Sequence, residues 1–153
     1  MKSILRIIPV LMLTLCFNLM AAEERPAPDI FGTYHSTNSK GTMLSVDANQ
    51  RITSNMQLQS TNGMLIPIQF PHRLRWEEVT QLFSTQGYVT QTMAGPGIVK
   101  NCTFPVKLEA DAYSDRLDVT LTFPQRVGVD QFGNCHSLGT SSFPVEFFKV
   151  RPE

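Results

Sequence analysis

The side chains that could do chemistry are few and lie far apart in the sequence. The histidines are His35, His72 and His136, and none stands two or four residues from another ligand-type side chain. A protein zinc site takes several ligands from side chains at short, regular spacings, so the fold would have to bring these histidines together. We therefore expect no metal site and no cofactor.

The sequence gives equally little support for a catalytic nucleophile or a general acid. Cys135-His136 places a thiol beside a possible base, but neighbouring residues on a strand point to opposite faces. Carboxylates occur as Glu77-Glu78 and as a second group, Glu109, Asp111, Asp115 and Asp118. Neither group has the apolar setting that raises the pKa of a general acid, and no nucleophile-elbow, phosphate-loop or dinucleotide-binding motif occurs. The sequence therefore predicts that the protein is not an enzyme.

One composite motif, His72-Arg73-Leu74-Arg75-Trp76, could form a recognition site. Two guanidinium groups can bind a carboxylate or a phosphate, and the only tryptophan of the chain offers an aromatic surface beside them. In the alternative, Trp76 packs in the core and the arginines are solvated. We name Arg73, Arg75 and Trp76 as candidate partner-binding residues.

The N-terminal segment predicts export. Lys2 and Arg6 come before an apolar stretch at 7–15, and Ala21-Ala22 supply small residues at its end. This pattern is typical of a secretory signal peptide, here residues 1–22, whose apolar part is too short to span a membrane. We expect a periplasmic or secreted protein with no membrane span after signal removal.

Removal of the signal takes Cys16 with it and leaves Cys102 and Cys135. An even pair in an exported chain favours a structural disulfide, and the wide spacing excludes a Cys-x-x-Cys redox motif. Closing a loop of this length stabilises a fold by about 3–4 kcal/mol in the chain-entropy model.

The charge balance argues against nucleic acid and anionic lipid as partners. The 13 basic residues lose Lys2 and Arg6 with the signal, so 11 face 13 acidic residues and the net charge becomes −2. Such a chain lacks the basic surface by which proteins attach to phosphate backbones.

The clearest structural pattern lies between the two cysteines. Apolar and polar residues alternate along 106–112 and again along 117–123, around a turn at 113–116. A period of two on both runs predicts an antiparallel hairpin with one buried face, on which Leu117, Val119 and Leu121 lie.

Other segments complete the predicted domain. Prolines make 23–30 an extended leader, and 31–153 form the β domain. Strands are predicted at 31–36, 42–47, 51–60, 64–70, 88–93 and 141–151. Asn62-Gly63 predicts a hairpin turn, and the spacing of Trp76, Val79, Leu82 and Phe83 predicts one short helix near 75–85. The fold class is therefore mainly β, a single antiparallel β-sandwich or small β-barrel with one short helix.

A short resemblance points to one kind of barrel. Phe31-Gly32-Thr33-Tyr34 resembles the Gly-x-Trp start of lipocalin-like (calycin) barrels, with tyrosine in place of tryptophan, over four of the 153 residues. The resemblance implies an up-and-down barrel with a ligand cavity.

These observations predict a non-enzymatic binding or interaction module whose partner is a protein or small molecule of the cell envelope. One alternative is a small-molecule-carrying barrel, which needs an enclosed apolar cavity of several hundred Å³ lined by Met and Phe side chains. Another is an inhibitor of envelope proteases or glycosidases that presents the exposed loop at 124–134. A hydrolase would need acids and histidines to converge in one cleft.

Overall fold

The computed structural model describes residues 26–38, 41–60 and 62–151, and these contain strands but no helix. The strands are β1 Gly32–Ser36, β2 Met43–Val46, β3 Ile52–Ser54, β4 Gln57–Gln59, β5 Leu65–Pro67, β6 Arg75–Glu77, β7 Leu82–Gly95, β8 Ile98–Ala112, β9 Arg116–Pro124, β10 Gly128–Val129, β11 Cys135–His136 and β12 Thr140–Lys149. Within those ranges no helix is long and apolar enough to cross a membrane. The predicted signal peptide lies outside the described residues.

Eight strands form one sheet in the order β3-β2-β1-β12-β9-β8-β7-β6, and every neighbouring pair is antiparallel. The sheet curls into a half-barrel with a concave inner face. The mainly β, antiparallel prediction is confirmed. The first and last strands meet, since Tyr34 of β1 lies opposite Lys149 of β12.

Alternation along the long strands builds the core on the inner face. On β8 the even positions from Cys102 to Ala112 are buried, and on β9 Leu117, Val119 and Leu121 are buried. The register pairs Leu108 with Leu121 and Ala112 with Leu117, as the predicted hairpin requires. A one-residue slip would move all these side chains to the outer face, so core burial holds the register.

The two ends of the half-barrel differ. The lower end carries Gly32, Val46, Ala112 and Arg116, and the upper end carries Ile98 and Pro124. At the lower end Ile30 is buried, and its carbonyl accepts a hydrogen bond from the Tyr34 hydroxyl at 3.0 Å. The last residue of the predicted leader, Ile30, therefore packs into the core at this end.

The two edges of the sheet approach each other along a seam. In its lower part Arg51 lies opposite Arg73, and the Leu74 amide donates to the Gln50 carbonyl at 2.8 Å. In its upper part the β4–β5 hairpin lies over the inner face. Gln69 and Tyr88 exchange two backbone hydrogen bonds of 2.9 Å, which attach the hairpin to β7.

The predicted strand at 51–60 is broken in two. The Asn55 side chain accepts a hydrogen bond from the Met43 amide at 2.7 Å and donates one to the Gly41 carbonyl. It thus replaces a backbone pairing, and the chain leaves the sheet between β3 and β4. Ile52 and Met56, on either side of the break, are both buried.

The predicted helix near 75–85 is wrong. This segment is a hairpin formed by β6, a turn at 78–81 and the start of β7. The turn brings Trp76 directly opposite Phe83, with ring centroids 5.0 Å apart, and leaves Val79 98% exposed. A helix would have placed Val79 on the same buried face as Trp76 and Phe83.

Candidate functional site

The predicted disulfide is confirmed. Cys102 on β8 is bonded to Cys135 on β11, with Cα atoms 5.7 Å apart. Both the bond and a 2.8 Å hydrogen bond from Lys100 Nζ to the Gly133 carbonyl attach the segment 124–136 to β8. Because Cys135 is oxidised here, it has no thiolate to act beside His136.

The segment predicted as an inhibitor loop is held in one shape. Asp130 Oδ1 accepts hydrogen bonds of 2.8 Å from the amides of Phe132 and Asn134. Hydrogen bonds from Asn134, followed by the one from Phe132, lower the pKa of Asp130. Phe132 lies in this turn and is 78% exposed. An inhibitory role for the loop stays a prediction.

The inner face carries a cleft at its upper end, which we call the arginine cleft. Its volume is about 370 Å³. Its lining side chains belong to the β4–β5 hairpin, to β7, β8 and β9, and to the loop after β9. They are Leu58, Gln59, Ser60, Ile66, Val89, Gln91, Phe104, Phe123, Pro124, Gln125, Arg126 and Val127. The cleft thus has an apolar interior, three glutamine amides and a single charged group, Arg126.

A second cleft of about 370 Å³ lies on the other side of β4, and we call it the phenylalanine cleft. Its lining residues are Thr42, Met56, Gln57, Leu58, Gln59, Leu121, Phe123, Phe143 and Val145. It contains no charged residue. The two clefts share Leu58, Gln59 and Phe123, so they adjoin along β4.

The unequal lengths of the strands leave this region open. β1 ends at Ser36 opposite Phe147, whereas β12 begins at Thr140 opposite Pro124. The upper part of β12 therefore has no β1 neighbour. Val145 and Phe147 are buried, but Phe143, which shares their face, is 52% exposed.

Arg126, an exposed residue that lines the arginine cleft, has a left-handed backbone. Its φ is 47°, in the left-handed region that a residue with a side chain adopts at a cost of about 1 kcal/mol. Backbone hydrogen bonds of 3.0 Å join Gln125 to Gly139 and to Leu138, which fixes the position of the neighbouring residue. Among the described residues, ion pairs join Lys107 to Glu109 and Arg116 to Asp118, and neither includes Arg126.

The predicted partner-binding residues are not gathered into one surface. Leu74 is buried and Trp76 is half-buried against Phe83, whereas Arg73 and Arg75 are exposed. Alternation along the strand thus puts the arginines on the outer face and the tryptophan ring against the core. A partner-binding role for Arg73, Arg75 and Trp76 stays a prediction, without the joint surface that motivated it.

The remaining candidates lie apart or on the outer surface. No three His, Cys, Asp or Glu side chains in the described ranges are placed to hold a metal ion. On the outer face Glu109 pairs with Lys107, Asp118 pairs with Arg116, and Asp111 accepts a 2.8 Å hydrogen bond from the Tyr113 hydroxyl. These carboxylates therefore have local polar partners.

The sequence interpretation missed the residues that line the two clefts. Gln59 and Gln91 carry no motif, and Arg126 was one basic residue in a polar loop. One signal was present: an arginine beside a valine-containing stretch at 127–129, directly after a strand with an inward Phe123. Only the path of the β4–β5 hairpin over the inner face brings these residues together.

The chain matches no protein-family model, no curated protein and no solved structure.

Proposed function

We propose that the protein is an exported, non-enzymatic binding module that takes a small, largely apolar ligand into the adjoining clefts beside β4. The observation that carries the proposal is an apolar inner face left open, with Phe143 half exposed above a buried Val145. Proteins rarely leave connected apolar surface unfilled unless something binds there. A volume of about 370 Å³ for each cleft falls within the range of small-molecule sites.

The chemistry of the lining also supports binding. Small-molecule sites are mostly apolar with a few well-placed polar groups, and the arginine cleft adds Gln59, Gln91 and Arg126 to an aliphatic and aromatic interior. Export is supported by the N-terminal pattern and by the Cys102–Cys135 disulfide, which persists in an oxidising compartment such as the periplasm.

A single substitution tests the proposal without disturbing the core. Gln59 is exposed and lines both clefts, so the indole of Gln59→Trp should fill the space that a ligand needs. We expect the wild-type protein to bind the uncharged fluorescent probe N-phenyl-1-naphthylamine and Gln59→Trp to bind it at least about 10-fold more weakly, a loss of about 1.4 kcal/mol.

Gln86→Trp is the matched control, since Gln86 is exposed on β7 and lines neither cleft. It should bind the probe like the wild type. Equal binding by all three proteins, or no binding by the wild type, would refute the clefts as the binding site.

A further inference from the structure

We propose that the ligand is an unbranched amphiphile with a single carboxylate head, and that Arg126 binds this head while the chain lies in the clefts. The proposal rests on the proposed function and adds the class of ligand. It starts from the distribution of charge: Arg126 is the single charged residue of the arginine cleft, and the phenylalanine cleft has none.

The guanidinium of Arg126 has no carboxylate partner among the described residues, where the ion pairs are Lys107–Glu109 and Arg116–Asp118. A guanidinium holds its donors in a rigid fork that matches the two oxygens of a carboxylate. As a lining residue of a largely apolar cleft, Arg126 therefore favours an anionic head and disfavours a cationic one.

The backbone of Arg126 adopts a left-handed conformation, as the backbones of Gln50 and Gln81 in two turns also do. A left-handed φ of 47° at a non-glycine residue costs free energy, and asparagine or glycine would adopt it more readily. Such strain persists where the surrounding structure fixes the residue, so the side chain of Arg126 extends from a fixed backbone position. Here the surrounding structure is the pair of 3.0 Å backbone hydrogen bonds that attach Gln125 to Gly139 and Leu138.

The shape of the site favours a chain rather than a compact ring system. The clefts adjoin along β4 through Leu58, Gln59 and Phe123, so an extended apolar tail can pass from one to the other. The amide groups of Gln59 and Gln91, which line the same cleft as Arg126, can hydrogen-bond a head group or bound water there.

Competition between ligands of one chain length tests the head group. Dodecanoate, dodecanol and dodecylamine, each below its micellar concentration, are titrated against N-phenyl-1-naphthylamine bound to the disulfide-containing protein. We expect dodecanoate to displace the probe at a concentration about 10-fold lower than dodecanol, and dodecylamine to be the weakest, as a charge-assisted hydrogen bond requires.

Three variants test whether Arg126 causes the preference for dodecanoate. Arg126→Asn removes the charge and tolerates the left-handed backbone, so it should keep probe binding and lose the preference for dodecanoate. Arg126→Lys should keep part of it. Arg75→Asn removes an exposed arginine outside both clefts and should keep all of it.

The results distinguish the carboxylate assignment from the proposed binding site in the clefts. If the probe binds but the three head groups compete equally, or if Arg126→Asn keeps the preference, the carboxylate assignment is overturned and the clefts remain the site. If the wild-type protein binds neither the probe nor any of the three amphiphiles, both proposals fall.

Discussion

A single buried tyrosine lies in the core at the lower end of the half-barrel. Tyr34 is 1% exposed, its hydroxyl donates to the Ile30 carbonyl, and its ring lies 5.9 Å from Lys149 Nζ. Burial, with a smaller contribution from the charge of Asp29, raises the pKa of Tyr34 to about 12. The phenol therefore stays protonated in the folded protein over a range where it ionises in the unfolded chain.

Tyr34 should make the folded state sensitive to alkali. Unfolding releases a proton between pH of about 10 and about 12, so the free energy of unfolding should fall as pH rises through this range, by at most about 1.4 kcal/mol per pH unit. The stability contribution is complete below pH 10. Urea unfolding at a series of pH values measures the slope.

Tyr34→Phe supplies the control, because it removes the ionisable group and keeps the ring. It should lose about 1 kcal/mol at neutral pH with the hydrogen bond to Ile30 and should show a shallower alkaline slope. The same alkaline slope in both proteins would show that Tyr34 does not control it.

At the scale of elements, the position of the β4–β5 hairpin depends on a glycine in β7. A Cβ atom on Gly87 would lie 2.6 Å from the Gln69 carbonyl oxygen and 2.6 Å from Phe70 Cδ1. Gly87 therefore permits the segment after β5 to cross β7 at close range, where Gln69 and Tyr88 exchange hydrogen bonds. The hairpin that borders both clefts is attached at this crossing.

Gly87→Ala should destabilise the fold by about 1–3 kcal/mol, because the contact involves backbone that cannot move aside cheaply. The neighbouring Gln86→Ala, on the exposed face, should stay within about 0.5 kcal/mol of the wild type. Thermal and urea unfolding compare them. Alanine usually strengthens a strand relative to glycine, so an unchanged or more stable Gly87→Ala would show that the crossing is looser than described.

The sequence allowed the long hairpin to be predicted but not the shorter one before it. Leu117, Val119 and Leu121 alternate with polar residues, and a period of two has one structural meaning. Trp76 and Phe83 are seven residues apart, which fits two helical turns as well as a hairpin with a four-residue turn. Sequence spacing cannot distinguish a helix from a hairpin here. The strand pairing can, since Trp76 lies opposite Phe83 of β7 and Phe83 lies opposite Ala110 of β8.

The clefts were less predictable than the strands for a related reason. Their residues come from six stretches of the chain, at 42, 56–66, 89–91, 104, 121–127 and 143–145. Asn55 and Gly87 direct the hairpin through contacts with Gly41 and Gln69. Neither contact follows from local propensity. The disulfide was predictable because it needed only a count of cysteines and a predicted compartment.

For the whole molecule, the disulfide joins the long β7–β8 extension to the segment 124–136, which contains Arg126. Replacing both cysteines by serine should lower the free energy of unfolding by about 2–5 kcal/mol. Urea unfolding of the double variant measures the loss, and reduction of the wild type should produce a similar one. Full stability in the double variant would contradict a structural role for the Cys102–Cys135 bond.

The central claim is that the open inner face beside β4 binds a ligand, and amide chemical-shift mapping tests it most directly. Titration of the ¹⁵N-labelled protein with dodecanoate should shift the amides of Leu58, Gln91, Phe123 and Arg126 and leave the Trp76 indole signal in place. Shifts confined to Arg51, Arg73 and Arg75 on the outer seam, or no shifts at all, would contradict the account.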